Sequence, residues 1–276
     1  MTKFPATRKT VMGNRFIRYG LLIAVATAFL QAPILLAAPA DPPATPNKIT
    51  DTLATSGGEL RLTPIYHGSV MLEFAGRVIH VDPWSRADYT GLPPADLIVV
   101  THTHADHLDR AMIDRLKKDG TTIVGPDAVI DTLNCAPGCG EVEAVNNGES
   151  KTVSGIKIEG VAMYNTVHVS KPGMPYHHKG VGSGYVLTFG ATRVYFSGDT
   201  DCTPEMKALK NIDVAFLNMN PPRTMSPVEA AACAKTFKPK IVYPLHYRGA
   251  KPTDFADQLK DTPGIEVRIR KLEGEP

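Results

Sequence analysis

The stretch SVMLEFAGRVIHVDP, residues 69–83, reads as two alternating strands joined by a turn, and it runs into an aspartate, Asp82. Residues 184–200, GYVLTFGATRVYFSGDT, repeat the pattern and end at Asp199. In each case another aspartate follows fourteen residues later and opens an apolar strand, Asp96 in ADLIVV and Asp213 in IDVAFL. Offsets that match over two elements favour an internal duplication. Two such halves, each a sheet with helices on one side, bury their open faces against each other. The predicted fold is therefore α/β, a four-layer αββα sandwich.

Helical patterns fill the intervals. LDRAMIDRLKKDG (108–120) has apolar residues at helical spacing and a glycine stop. TPEMKALK (203–210) begins with Thr203 as a cap and proline at the first helical position. SPVEAAACAKTF (226–237) carries a capping box, Ser226 with Glu229. Asn146-Asn147-Gly148 predicts a hairpin between EVEAV and the strand leading into KIEGVAMYN. DFADQLK and IEVRIRKL read as a last helix and a last strand.

The N-terminus is a separate piece. Lys3, Arg8, Lys9, Arg15 and Arg18 precede an almost wholly apolar run, Leu21 to Leu36, and Ala38-Pro39-Ala40 offers small residues for cleavage. This is the layout of a secretory signal over 1–40, with an uncleaved anchor as the lesser alternative. Residues 41–58 follow as a proline-rich tether, and 59–276 form the folded domain. The expected location is periplasmic or secreted, with no stable membrane insertion after cleavage. The chain has 30 basic and 28 acidic residues, and the five basic residues above have no acidic counterpart in 1–40, so the remainder carries a formal charge of −3. That balance excludes a nucleic-acid footprint. In an oxidising compartment Cys135 and Cys139, in CAPGC, predict a small disulfide loop. Cys233 reads as a packed helical residue and Cys202 as a bystander beside the site.

The chemistry sits in THTHADHLD, residues 101–109. In an extended segment His102 and His104 point the same way, so two imidazoles can share one ion. Asp106 and His107 lie where the chain turns into the next helix and can face a second ion. Imidazole with carboxylate suits zinc, and also manganese or iron. Asp109 reads as the start of that helix.

HTHADH resembles the HxHxDH signature of the metallo-β-lactamase superfamily, whose fold is the αββα sandwich. HGSVMLEF, GDTDCTPEM, TMSPVEAAACA and PLHY are similar to the branch containing ascorbate-6-phosphate lactonase and N-acyl-phosphatidylethanolamine phospholipase D. The resemblance implies that His102 and His104 hold one metal, that Asp106, His107 and His246 hold the other, and that Asp199 bridges them. It implies that Asp82 supports the site through hydrogen bonds without binding metal. Many relatives have a third histidine for the first metal where this chain has Asn165. Relatives with the Ala-Tyr-Asn form keep one at the position of His177, which makes His177 the favoured ligand or active-site acid, against a histidine on the rim. Asn165 can still reach the site through its amide oxygen. His67 reads as a residue supporting the loop, or as a proton donor. His168 reads as a surface residue, His80 as structural, and Tyr247 and Arg248 as mouth residues or ordinary loop.

The resulting expectation is a metal-dependent hydrolase. Two divalent ions lower the pKa of a shared water from about 16 toward neutrality. Asp106 orients that nucleophile, and a small-molecule ester, lactone or phosphodiester is the substrate. The alternative is an exported, non-hydrolytic metal-binding protein on the same fold. Nothing in the sequence indicates an oligomeric state.

Overall fold

The structure, a computed structural model, describes residues 48–134 and 140–272. The first sheet contains β1 (Asp51–Thr55), β2 (Gly58–Tyr66), β3 (Ser69–Phe74), β4 (Arg77–Val81), β5 (Ala95–Val99), β6 (Lys117–Gly125) and β7 (Glu141–Ala144), in that spatial order. The second contains β8 (Ser150–Val153), β9 (Ile156–Met163), β12 (Gly182–Phe189), β13 (Thr192–Phe196), β14 (Val214–Asn218), β15 (Ile241–Leu245) and β16 (Glu266–Val267). A small hairpin, β10 (Val169–Lys171) with β11 (Met174–Pro175), stands apart. In each seven-stranded sheet the first four strands pair antiparallel and the last four pair parallel. The duplication read from the sequence is thus present in the topology of both halves.

Its register differs from the sequence reading. The Asp82 amide donates to Val99 O (2.9 Å) as the Ser197 amide donates to Phe216 O (3.0 Å). The Thr101 amide reaches Asp82 Oδ1 (2.7 Å) as the Asn218 amide reaches Ser197 Oγ (3.0 Å). Asp82 therefore corresponds to Ser197, and Asp199 lies two residues further out. The equal fourteen-residue offsets coincide without marking equivalent carboxylates. Asp96 and Asp213 are true counterparts, accepting from the amides of Val78 and Arg193, each at 2.8 Å.

β5 shows why DLIVV is continuously apolar. Leu97 and Val99 pack between the sheets, while Ile98 and Val100 pack under α1 (Arg110–Leu116) and α2 (Asp127–Leu133). A strand covered on both faces has no polar side, and each such side chain contributes about 1.5–3 kcal/mol through burial. On the far side α4 (Pro227–Phe237) and α5 (Pro252–Leu259) set Ala230, Ala234, Phe237, Phe255 and Leu259 against the second sheet. The short α3 (Pro204–Lys207) is capped by Thr203, and α4 has the capping box of Ser226 and Glu229.

Several boundaries are corrected. The sheet begins at Asp51, inside the segment read as tether, because β1 pairs along its length with β2. The first helix stops at Leu116, and Lys117–Gly120 already belong to β6. Asn146-Asn147-Gly148 does not close a hairpin. β7 is an edge of one sheet and β8 an edge of the other, so the turn carries the chain across, closed by the Asn146 amide on Glu149 Oε2 (2.8 Å). The final strand is only Glu266–Val267. Cys202 and Cys233 are neither bystander nor merely packed. They form a disulfide that ties the loop after Asp199 to α4, with Cα atoms 5.7 Å apart. Cys135, Cys139 and the 1–40 leader lie outside the described residues, among which no helix is long and apolar enough to cross a membrane.

Candidate metal centre

The candidate residues gather where strands end. Asp82 follows β4, residues 101–107 follow β5, Asn165 follows β9, Asp199 follows β13 and His246 follows β15. His67, Asp82 and His246 all have positive φ (56°, 43° and 51°), a region that non-glycine residues enter at a cost. Each left-handed turn folds the chain back at the strand end, and the His246 amide closes one of them on His67 O (3.0 Å).

Asp82 organises two of the imidazoles. Its Oδ2 accepts from His107 Nδ1 (2.7 Å) and from the Thr101 hydroxyl (2.7 Å). With its proton directed to Asp82, that hydroxyl accepts from His102 Nδ1 (3.0 Å). Both rings are held with Nε2 facing inward, the arrangement by which an outer carboxylate fixes the tautomer of a ligating histidine.

Asn165 does the same for His177. Its Oδ1 accepts from the His177 backbone amide (2.7 Å) and from His177 Nδ1 (2.9 Å). Its Nδ2 donates to Asp201 Oδ1 and to Arg223 O, each at 3.0 Å. Asn165 thus presents neither end of its amide to the cluster and instead orients the histidine that stands in for it. His177 is brought together with His102 and His104, their candidate ligand atoms all within 4.8 Å of one another.

His67, Asp106 and His246 form a second such group, and His102, His107 and Asp199 a third. His67 Nε2 lies 3.2 Å from Asp106 Oδ2, and the His67 and His246 ring centres are 3.5 Å apart. Asp199 sits between the groups, 3.5 Å from His107 Nε2 and 3.6 Å from both His177 Nε2 and His246 Nε2. Asn218 Nδ2 donates to its Oδ1 (2.9 Å), the oxygen that also faces His107, while Oδ2 faces His177 and His246.

The Nε2 atoms of His107, His177 and His246 are buried without a hydrogen-bond partner, which is costly unless something binds there. The 3.5–3.6 Å separations from Asp199, and that from His246 Nε2 to Asp106 Oδ2 (3.6 Å), are long for good hydrogen bonds. They match two ligands on one tetrahedral ion, where bonds of about 2.0–2.2 Å place neighbours about 3.3–3.6 Å apart. The residues fit a metal.

Electrostatics agree. Burial pushes the His102 and His104 pKa values down, and that of His177 to about 4, so these rings stay neutral and able to ligate. Burial opposes ionisation of Asp106, but the imidazoles of His246 and His67 beside it outweigh that and hold the carboxyl well below its ordinary range. Asp199 is buried too, and the surrounding histidines, His246 first, keep it ionised. His107 differs from His102, His104 and His177, because its burial is outweighed by Asp199 and Asp82, which raise its pKa to about 9 and favour the charged ring.

The groups open into a cavity of about 410 Å³ lined by His104, Asp106, Tyr176, Asp199, Asn220 and Arg223. Sequence reasoning did not identify Tyr176, Asn220, Arg223 or Asn218. Aligning the two halves pairs Asn218 with Thr101 and would have found it. His168 is not a bare surface residue, since its Nδ1 binds Asp201 Oδ1 (2.6 Å), away from the metal groups. His178 is exposed. His80 is buried in β4 with Nε2 donating to Pro93 O (3.1 Å), a structural part. Tyr247 is also buried, its hydroxyl on Arg270 O (3.3 Å), so it does not line the mouth. Asp109 caps α1 through Met112 N (3.1 Å).

Residues 61–246 match the family described as the beta-lactamase superfamily domain. A UPF0173 metal-dependent hydrolase of Aeropyrum pernix is 32% identical over 211 residues, which cover 71% of this chain and 86% of the relative. One from Pyrobaculum islandicum is 33% identical over 225 residues, 74% of this chain and 94% of the relative. Among solved structures, a Parabacteroides distasonis protein described as a metal-dependent hydrolase superposes with a TM-score of 0.75 at 43% identity, covering 82% of this chain and all of that one. Igni18, a metallo hydrolase from Ignicoccus hospitalis, has a TM-score of 0.65 at 24% identity, covering 78% and 96%, and so shares the fold. The chain belongs to the beta-lactamase superfamily, with the metallo-β-lactamase fold, and is a metal-dependent hydrolase.

Proposed function

We propose that this hydrolase works with a dinuclear site, zinc foremost with manganese or iron as alternatives, and cleaves an ester, lactone or phosphodiester of small-molecule size. The observation that carries the reading is the position of Asp199 at 3.5–3.6 Å from three histidine nitrogens, each otherwise unpartnered. His102, His104 and His177 would hold one ion, Asp106, His107 and His246 the other, and Asp199 both. Bound divalent ions supply Lewis acidity and a water that loses its proton near neutral pH.

The chain's own residues do the rest. Asp106, ionised and on the cavity wall, accepts a hydrogen bond from the attacking water and carries its proton toward the leaving group. His67 donates from Nε2 to Asp106 Oδ2 and so fixes the direction of that carboxylate. Asp82 and Asn165 hold the ligand tautomers. The N-terminal layout supports export, with residues 1–40 removed and the domain acting in the periplasm or outside the cell.

Metal analysis of the purified protein, alongside hydrolysis of lactones, aryl esters, β-lactams and phosphodiesters, tests the reading. About two ions per chain with turnover of an ester, lactone or phosphodiester is expected. One weakly held ion, or turnover of β-lactams alone, would overturn it. Asn165→Ala is a sharper probe, because it leaves every ligand in place. Loss of an outer partner lowers metal affinity about 10–100-fold, so chelator competition should show one ion released that much more readily. Unchanged retention of both ions would mean that His177 does not ligate.

A further inference from the structure

We infer that the substrate carries an oxyanion, a carboxylate or a phosphoryl group, at or beside its scissile bond, and that Arg223 is the residue that selects it. This deepens the hydrolytic reading above and rests on it. Among the described residues Arg223 is the only lysine or arginine lining the 410 Å³ cavity. It shares that wall with His104, Asp106 and Asp199. The two cavity carboxylates face histidines and do not pair with it. An unneutralised guanidinium on the wall of a reaction cavity offers a planar, bidentate grip for carboxylate or phosphate. Once Asp106 and Asp199 are committed to metal ions, nothing else on that wall answers its charge.

Its backbone is fixed as firmly as a ligand's. The Arg223 amide donates to Asn220 O (2.8 Å), the Thr224 amide to the same oxygen (3.0 Å), and the Asn220 amide to Thr224 Oγ1 (2.8 Å). The Arg223 carbonyl accepts from Asn165 Nδ2 (3.0 Å), the side chain that also holds His177. One asparagine thus sets the distance between a metal-facing histidine and the cation. Tyr176 and Asn220 add a phenol and an amide to the same wall, so the cavity is polar where the substrate's second group must lie.

The test uses the metal-loaded protein and three probes: p-nitrophenyl acetate, mono-p-nitrophenyl glutarate and bis(p-nitrophenyl) phosphate. The wild type should favour an anionic probe over the neutral ester. Arg223→Gln should lower that preference about 10- to 100-fold, the range for a lost charge-assisted hydrogen bond, and Arg223→Lys should restore part of it. A change confined to the glutarate ester assigns a carboxylate; one confined to the phosphodiester assigns a phosphoryl group. Equal anionic-to-neutral ratios in wild type and Arg223→Gln would overturn the proposal while leaving hydrolysis standing. If no probe turns over, simple aryl esters and aryl phosphodiesters are excluded as substrates, and a binding measurement replaces the rate ratio. Calorimetry with glutarate and inorganic phosphate then decides on Arg223 alone, with weaker binding to Arg223→Gln supporting it and equal binding overturning it.

Discussion

Asp199→Ala is expected to lower turnover at least about 10³-fold and to leave the protein with less than its full metal content. Removing a mere outer partner from a metal site costs about 10–100-fold, and Asp199 faces a histidine of each of the three groups. Its carboxylate faces His107, His177 and His246 at 3.5–3.6 Å. Without it, three inward nitrogens that already lack partners lose their shared counter-charge. The loss should appear in direct metal analysis as well as in kinetics. Asn218 keeps the backbone of this region paired with Ser197, so the variant should retain its circular dichroism spectrum. A variant with full metal content and wild-type turnover would remove Asp199 from the centre.

Asp106→Asn is expected to lower kcat by about 10²–10⁴-fold, the usual contribution of a positioned proton acceptor, with a smaller effect on metal content. The amide keeps the size of the side chain and one carbonyl oxygen. It removes the negative charge that the imidazoles of His67 and His246 now hold in place. His67 and His246 lie in contact, with ring centres 3.5 Å apart, so the pocket around residue 106 should keep its shape. Rate measurements at saturating metal separate the two effects. Unchanged kcat there would move the proton acceptor elsewhere.

Much of this was legible in the chain. Period-two alternation and a repeated strand pair give the two sheets, because side-chain direction in a strand depends only on parity. THTHADH places its donors together because they are close in sequence and follow a buried strand. What the sequence hides is long-range register. The equal spacings after Asp82 and Asp199 invite an equivalence that the strand pairings refute, since two extra residues beyond β13 carry Asp199 outward. Asn165 shows a second limit. A residue standing where a ligand is expected carries no label saying whether it binds or supports, and only the four hydrogen bonds of its side chain, two of them to His177, tell the two apart. The disulfide was hidden for a simpler reason, its 31-residue separation across loop and helix. Arg223 was equally silent, because a lone arginine in a proline-rich loop has no periodicity to mark it.

The division of the donors between two like halves also sets when the centre can be completed. Residues 102–107 leave the ribosome first, and four donors are then present without His177, Asp199 or His246. The last of the candidate residues, His246, follows β15 in the second half. A chain interrupted before β15 lacks His246, and one interrupted before β9 lacks His177 and Asp199 as well. On the proposed donor set, a product that lacks β15 and the residue after it lacks His246 and is expected to be inert toward substrate.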